Sequence, residues 1–92
     1  MSAERAGAVR LDPELVLATF EELYRGSKPD ARPVRRDARL ADDLDIDSVL
    51  GFELLIGLEE RFDVELVDDP TVYRARDVDQ LVDLVLVAAE RR

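Results

Sequence analysis

Apolar residues recur at Val16, Leu17, Phe20, Leu23 and Tyr24, the three-and-four spacing of one helical face. Asp12-Pro13-Glu14 stands just before them, a cap residue followed by proline where its missing N–H costs nothing. Gly26 is placed to end this helix. Periodicity then lapses as far as Asp47: Pro29, Pro33 and many charges surround isolated apolar positions at Val34, Leu40 and Leu44. That pattern predicts a long ordered loop, a kind of segment that often carries function. A second helix is expected from about Asp47-Ser48 to Phe62, and a short one at Asp69-Pro70-Thr71-Val72-Tyr73. The last begins at Asp77, with Gln80 at capping-box spacing. It continues through Val78, Leu81, Val82 and Val85 toward Arg91 and Arg92, whose charge suits a helix C-terminus. Nothing alternates with period two, and Val64-Glu65-Leu66 is too short for a sheet. The expected fold is all-α: a small bundle of three main helices plus one short helix, with a long loop between the first and second. Residues 1–11 are expected to be a loose tail and 12–92 the helical domain.

Composition narrows the function. A chain of 92 residues holds one domain with a marginal core, so most of its apolar residues must be used. It has no Cys, which removes disulfides, thiolate metal sites and a cysteine nucleophile. It has no His, which removes the commonest general base and metal ligand together. A self-contained enzyme is therefore not expected, and neither a catalytic residue nor a metal site is assigned. The net charge of −9 opposes binding to nucleic acid and to anionic membranes. The longest apolar run, Leu84 to Ala89, is far short of a bilayer span, and the N-terminus lacks a signal-peptide core. A cytoplasmic monomer is expected.

The charge is unevenly placed. Residues 42–69 carry eleven acids against Arg61 alone, whereas the rest of the chain carries eleven acids and twelve bases. A solvated face accounts for most such runs. The alternative is an electrostatic docking surface for basic partners. Within this segment Gly51, Leu54, Leu55, Leu58 and Phe62 form one helical stripe, wide enough to pack a small core. Val49, Phe52 and Ile56 form a second, lying among Glu53, Glu59 and Glu60. That second stripe either packs the long loop or serves as an apolar contact strip rimmed by acids.

Ser48 is where chemistry can enter. A serine in the first turn of a helix usually does no more than cap it. As a hydrolase nucleophile it fails, because no His exists to activate it and no G-x-S-x-G elbow surrounds it. A phosphate esterified to Ser48 would instead lie against free N–H groups and the positive end of the helix dipole. Asp43, Asp45 and Asp47 mimic the first ligands of a calcium-binding EF-hand loop. Ser48 then replaces the required Gly, and Leu54 the bidentate Glu, so a dedicated calcium site is not expected.

Leu44-x-x-Asp47-Ser48-Val49, followed by Glu53-Leu54 and Leu58-Glu59-Glu60-Arg61-Phe62-Asp63, resembles the acyl carrier protein and peptidyl carrier protein family over about residues 12 to 87. The resemblance implies that Ser48 receives a 4′-phosphopantetheine arm from coenzyme A. A phosphopantetheinyl transferase would attach it with magnesium. The arm's thiol would carry an acyl or aminoacyl thioester between enzymes, which a tether presents at raised effective concentration. Asp47 matches the family's acid beside the modified serine. Val49, Leu50, Phe52, Glu53, Ile56, Gly57 and Glu60 fall on the second helix, where the family meets its partners. The implied partners are a loading enzyme and ketosynthase, acyltransferase or condensation-type enzymes with basic docking patches.

Four positions depart from the family pattern: Asp45 stands where Gly is usual, Val49 replaces Leu or Ile, and Leu50 and Gly51 replace residues often polar in fatty-acid carriers. They favour a discrete carrier of acyl groups in polyketide or related natural-product biosynthesis. A stand-alone aminoacyl carrier of a nonribosomal-peptide pathway is the alternative. Two further readings are an acidic binding module that is never modified, and an unrelated acidic bundle that mimics nucleic acid.

Overall fold

Every helix among the described residues starts on an aspartate. In the computed structural model, which describes residues 11–91, α1 spans Pro13–Ser27 and α2 spans Ser48–Phe62. A 3-10 helix follows at Pro70–Arg74, and α3 spans Val78–Glu90. Asp12, Asp47, Asp69 and Asp77 precede them in extended conformation, and each carboxylate accepts an N–H of the first turn. Such caps satisfy donors that a helix leaves unbonded and are worth about 1 kcal/mol each. Four members of the acidic surplus are thus structural. Gln80 departs from the capping-box expectation: its side chain accepts from Arg76 N–H at 2.7 Å, one residue before the cap.

The expected all-α bundle is the observed fold, and the described residues contain no strand. Val16, Phe20 and Tyr24 of α1 meet Leu54, Leu55 and Leu58 of α2, and Val78, Leu81, Val82 and Val85 of α3. The Phe20 and Tyr24 rings stack with centroids 6.2 Å apart. The loop contributes Val34 and Leu44 as expected, and also Ala38, which periodicity did not single out. Residues 1–10 of the expected tail and Arg92 lie outside the described residues; Leu11 is half-buried against the core.

Gly26 does not end α1. The helix runs on to Ser27, and Lys28 leaves helical geometry just before Pro29, whose ring disfavours a helical predecessor. At the far end of α2 the left-handed residue is Asp63, at φ 55°, where a glycine is the usual choice.

Polar anchors hold the loops. The Tyr24 hydroxyl donates to the buried carbonyl of Leu44 at 2.7 Å. Lys28 pairs with Asp45 at 3.2 Å, and Glu21 accepts Val34 N–H at 3.0 Å. After α2, one oxygen of Glu59 accepts both Leu66 and Val67 N–H at 2.7 Å. Leu40 joins the long loop to two other segments. Its N–H donates to Arg76 O and its carbonyl accepts from Ile46 N–H, each at 2.9 Å, beside an isolated bridge between Arg39 and Asp77. The start of α3 and the approach to Ser48 are thereby tied to one residue.

Candidate functional site

Ser48 is the first residue of α2 and is exposed. Asp47, also exposed, turns its carboxylate onto Leu50 N–H at 2.8 Å, while its carbonyl accepts from Gly51 N–H at 2.8 Å. The cap holds the first turn, and the Ser48 hydroxyl bonds to no group among the described residues. The first-turn amides of Ser48 and Val49 have no intrahelical acceptor, so an anion carried on Ser48 meets N–H groups and the dipole's positive end. The chain has no His to serve the hydroxyl as a base.

The second stripe of α2 faces solvent rather than packing the loop. Val49 is 66% exposed, Phe52 44% and Ile56 36%. Glu53 and Glu60 are exposed on the same three-and-four spacing. Neither has a cationic partner among the described residues. Two other positions of the expected docking set are placed differently. Leu50 is half-buried and packs on the core. Gly57 lies at the α1–α2 contact: a Cβ there would meet the Leu23 side chain at 3.0 Å, so its missing side chain serves helix packing.

The three aspartates that imitate a calcium loop have separate occupations. Asp43 accepts Arg39 N–H at 2.8 Å, Asp45 pairs with Lys28, and Asp47 caps α2. Asp45 adopts φ 54°, the left-handed conformation that explains why glycine suits this position. Elsewhere, the Thr71 hydroxyl and N–H donated to Asp69 hold its carboxyl below the usual range, and the Arg61 guanidinium does the same for Glu22.

Beside Ser48 the surface opens into a cleft of about 1060 Å³. Phe20, Leu54, Leu55 and Leu81 supply apolar wall from the three helices, with Leu40 and Ile46 from the loop and Val72 from the 3-10 helix. Sequence reasoning did not find this cleft. Its signal was faint: the isolated apolar residues of the loop, Leu40 among them, which mark where the loop turns inward.

Ser48 is thus an exposed serine at a capped helix start, on the rim of an apolar cleft in a small acidic helical bundle. No family model matches the chain. It is similar to the acyl carrier proteins of Tropheryma whipplei strains Twist and TW08/27, each 36% identical over 79 residues that make up 85% of this chain and 95% of theirs. The chain belongs to the acyl carrier protein family. No helix among the described residues is long and apolar enough to cross a membrane.

Proposed function

We propose that residues 12–92 form a non-catalytic carrier unit that holds acyl groups as thioesters on a 4′-phosphopantetheine arm at Ser48. The observation that carries this reading is the Ser48 hydroxyl: exposed, unbonded, at the positive end of α2 and on the rim of an apolar cleft. The residues present fit the arm. Ser48 would offer the oxygen, the free amides of the first turn would stabilise the phosphate's charge, and Asp47 fixes that turn. Attachment joins the serine oxygen to the phosphorus next to the pantetheine. The pyrophosphate bond of coenzyme A breaks, the nucleotide leaves with its phosphates, and the hydroxyl proton passes to the transferase's base or solvent. When bound, the arm supplies a thiol that forms and exchanges thioesters.

The exposed strip of Val49, Phe52 and Ile56, rimmed by Glu53 and Glu60, is the docking face for the transferase, a loading enzyme, and ketosynthase, acyltransferase or condensation-type partners with basic patches. The carrier works as a cytoplasmic monomer. The departures at Asp45, Val49 and Leu50 favour polyketide or related natural-product biosynthesis, with aminoacyl cargo as the second reading.

Incubation with an acyl-coenzyme A, magnesium and a broad-specificity transferase is expected to add one acyl-phosphopantetheine by intact mass. Hydroxylamine is then expected to remove the acyl part and leave the arm. A chain left unmodified under conditions that convert an established carrier contradicts the reading.

A further inference from the structure

Four consecutive residues lead to Ser48, and each is held by a bond of its own. Leu44 O accepts from the Tyr24 hydroxyl, Ile46 N–H donates to Leu40 O at 2.9 Å, and the Asp47 carboxylate accepts Leu50 N–H. Asp45 is held by charge: Lys28 Nζ, 17 positions away in sequence, donates to its carboxylate at 3.2 Å. Lys28 is the one lysine of the chain. Its side chain is 33% exposed, against 39% or more for the ion-paired arginines of the described residues. Its backbone is fixed on both sides, since its N–H donates to Tyr24 O at 2.9 Å and its carbonyl accepts from Ala31 N–H at 3.0 Å. The ammonium is thus carried on an anchored residue at the end of α1.

Stability does not explain the pair. The Asp45 side chain is 93% exposed, where an ion pair contributes little. Its backbone stands at φ 54°, which costs a residue with a side chain more than it costs glycine. The other described non-glycine residue at positive φ, Asp63, closes α2 as its C-cap. Glycine at position 45 would make the same turn with less cost and no charge. What the aspartate adds is a tie between the end of α1 and the segment that carries Ser48. We infer that Lys28 and Asp45 are positioning residues, whose ion pair holds the approach to α2 in the arrangement that presents Ser48 to the transferase. The inference rests on the proposed attachment at Ser48. Direct contact of Asp45 with a basic partner is the competing explanation, and Lys28 separates the two. Its removal frees the carboxylate for a partner but loosens the approach to Ser48.

The test compares wild type with Lys28→Met, Asp45→Asn, the double variant and Lys28→Arg. Asparagine keeps the left-handed turn and loses the charge. Amide exchange at Ile46 is recorded on the unmodified protein, and KM and kcat are measured for modification by a broad-specificity transferase with coenzyme A and magnesium. Each single variant is expected to quicken Ile46 exchange and to raise the KM for the carrier about two- to five-fold, the range of one exposed ion pair. The kcat is expected to hold, because loosening lowers only the fraction of carrier in the competent arrangement. The double variant is expected to match the single ones, and Lys28→Arg to behave as wild type. A Lys28→Met protein whose KM is unchanged or lower overturns the inference and assigns Asp45 to direct contact with the partner. Additive effects in the double variant overturn it as well. Wild type left unmodified refutes attachment at Ser48 instead; Ile46 exchange, read without the transferase, still tests the tie, so the two failures are distinguishable.

Discussion

At the scale of single residues, the acidic side chains divide by occupation. Asp47 and Asp69 cap helices, Glu59 binds two loop amides with one oxygen, and Asp45 pairs with Lys28. Glu59 belongs to the sequence motif that carries the family resemblance, and its bonds give that motif a structural reason: it fixes the turn that leads out of α2. Tyr24 does comparable work for the long loop. Its hydroxyl serves the Leu44 carbonyl in a buried setting, three residues before Asp47. Tyr24→Phe leaves that carbonyl unsatisfied and is expected to lower the unfolding free energy by about 1–2 kcal/mol in urea titrations. Because the Asp47 cap persists, modification of Ser48 is expected to proceed in the folded variant. An unchanged urea midpoint would show that the loop is held without this bond.

At the scale of elements, α2 has two working faces. Leu54, Leu55 and Leu58 are buried, and Gly57 admits Leu23 of α1; the opposite face carries Val49, Phe52 and Ile56 in water. Both stripes were legible as periodicity, because helical spacing alone separates them. Which of them faced solvent was not, since a stripe packed under the loop has the same spacing. The packing role of Gly57 was hidden for a related reason. A glycine among docking positions looks like open surface until the neighbouring helix is in place. Reversal of the unpaired carboxylates, Glu53→Lys or Glu60→Lys, is expected to slow association with the transferase at low ionic strength while changing stability by about 0.5 kcal/mol or less. Initial modification rates across a salt series check this. Rates indifferent to both reversals and to salt would return the strip to ordinary solvated surface.

For the whole molecule, helix order and caps followed from local pattern, whereas the cleft did not. It is made by residues far apart in sequence, such as Phe20, Ile46 and Leu81, and a single-sequence reading carries no signal for their meeting. The charge distribution was legible from counting, and its consequence is global. Eleven acids within residues 42–69 repel one another in a domain of marginal stability. The melting temperature is expected to rise with sodium chloride and to rise further with magnesium at matched ionic strength, as the carboxylates are screened and bridged. The magnesium increment is expected to shrink in an Asp43→Asn, Asp45→Asn, Asp47→Asn variant, where Asn still caps α2. A melting temperature independent of both salts would show that the acidic segment stores no repulsion.

The central claim is that Ser48 is the point at which this protein is charged with cargo. Intact-mass spectrometry after treatment with coenzyme A, magnesium and a transferase tests it most directly, comparing wild type with Ser48→Ala. The substitution removes one exposed hydroxyl that bonds to no described residue, so the variant is expected to fold. Wild type is expected to gain one phosphopantetheine and Ser48→Ala none. An equal gain by both proteins would place the arm on another residue, and no gain by either would contradict the carrier function.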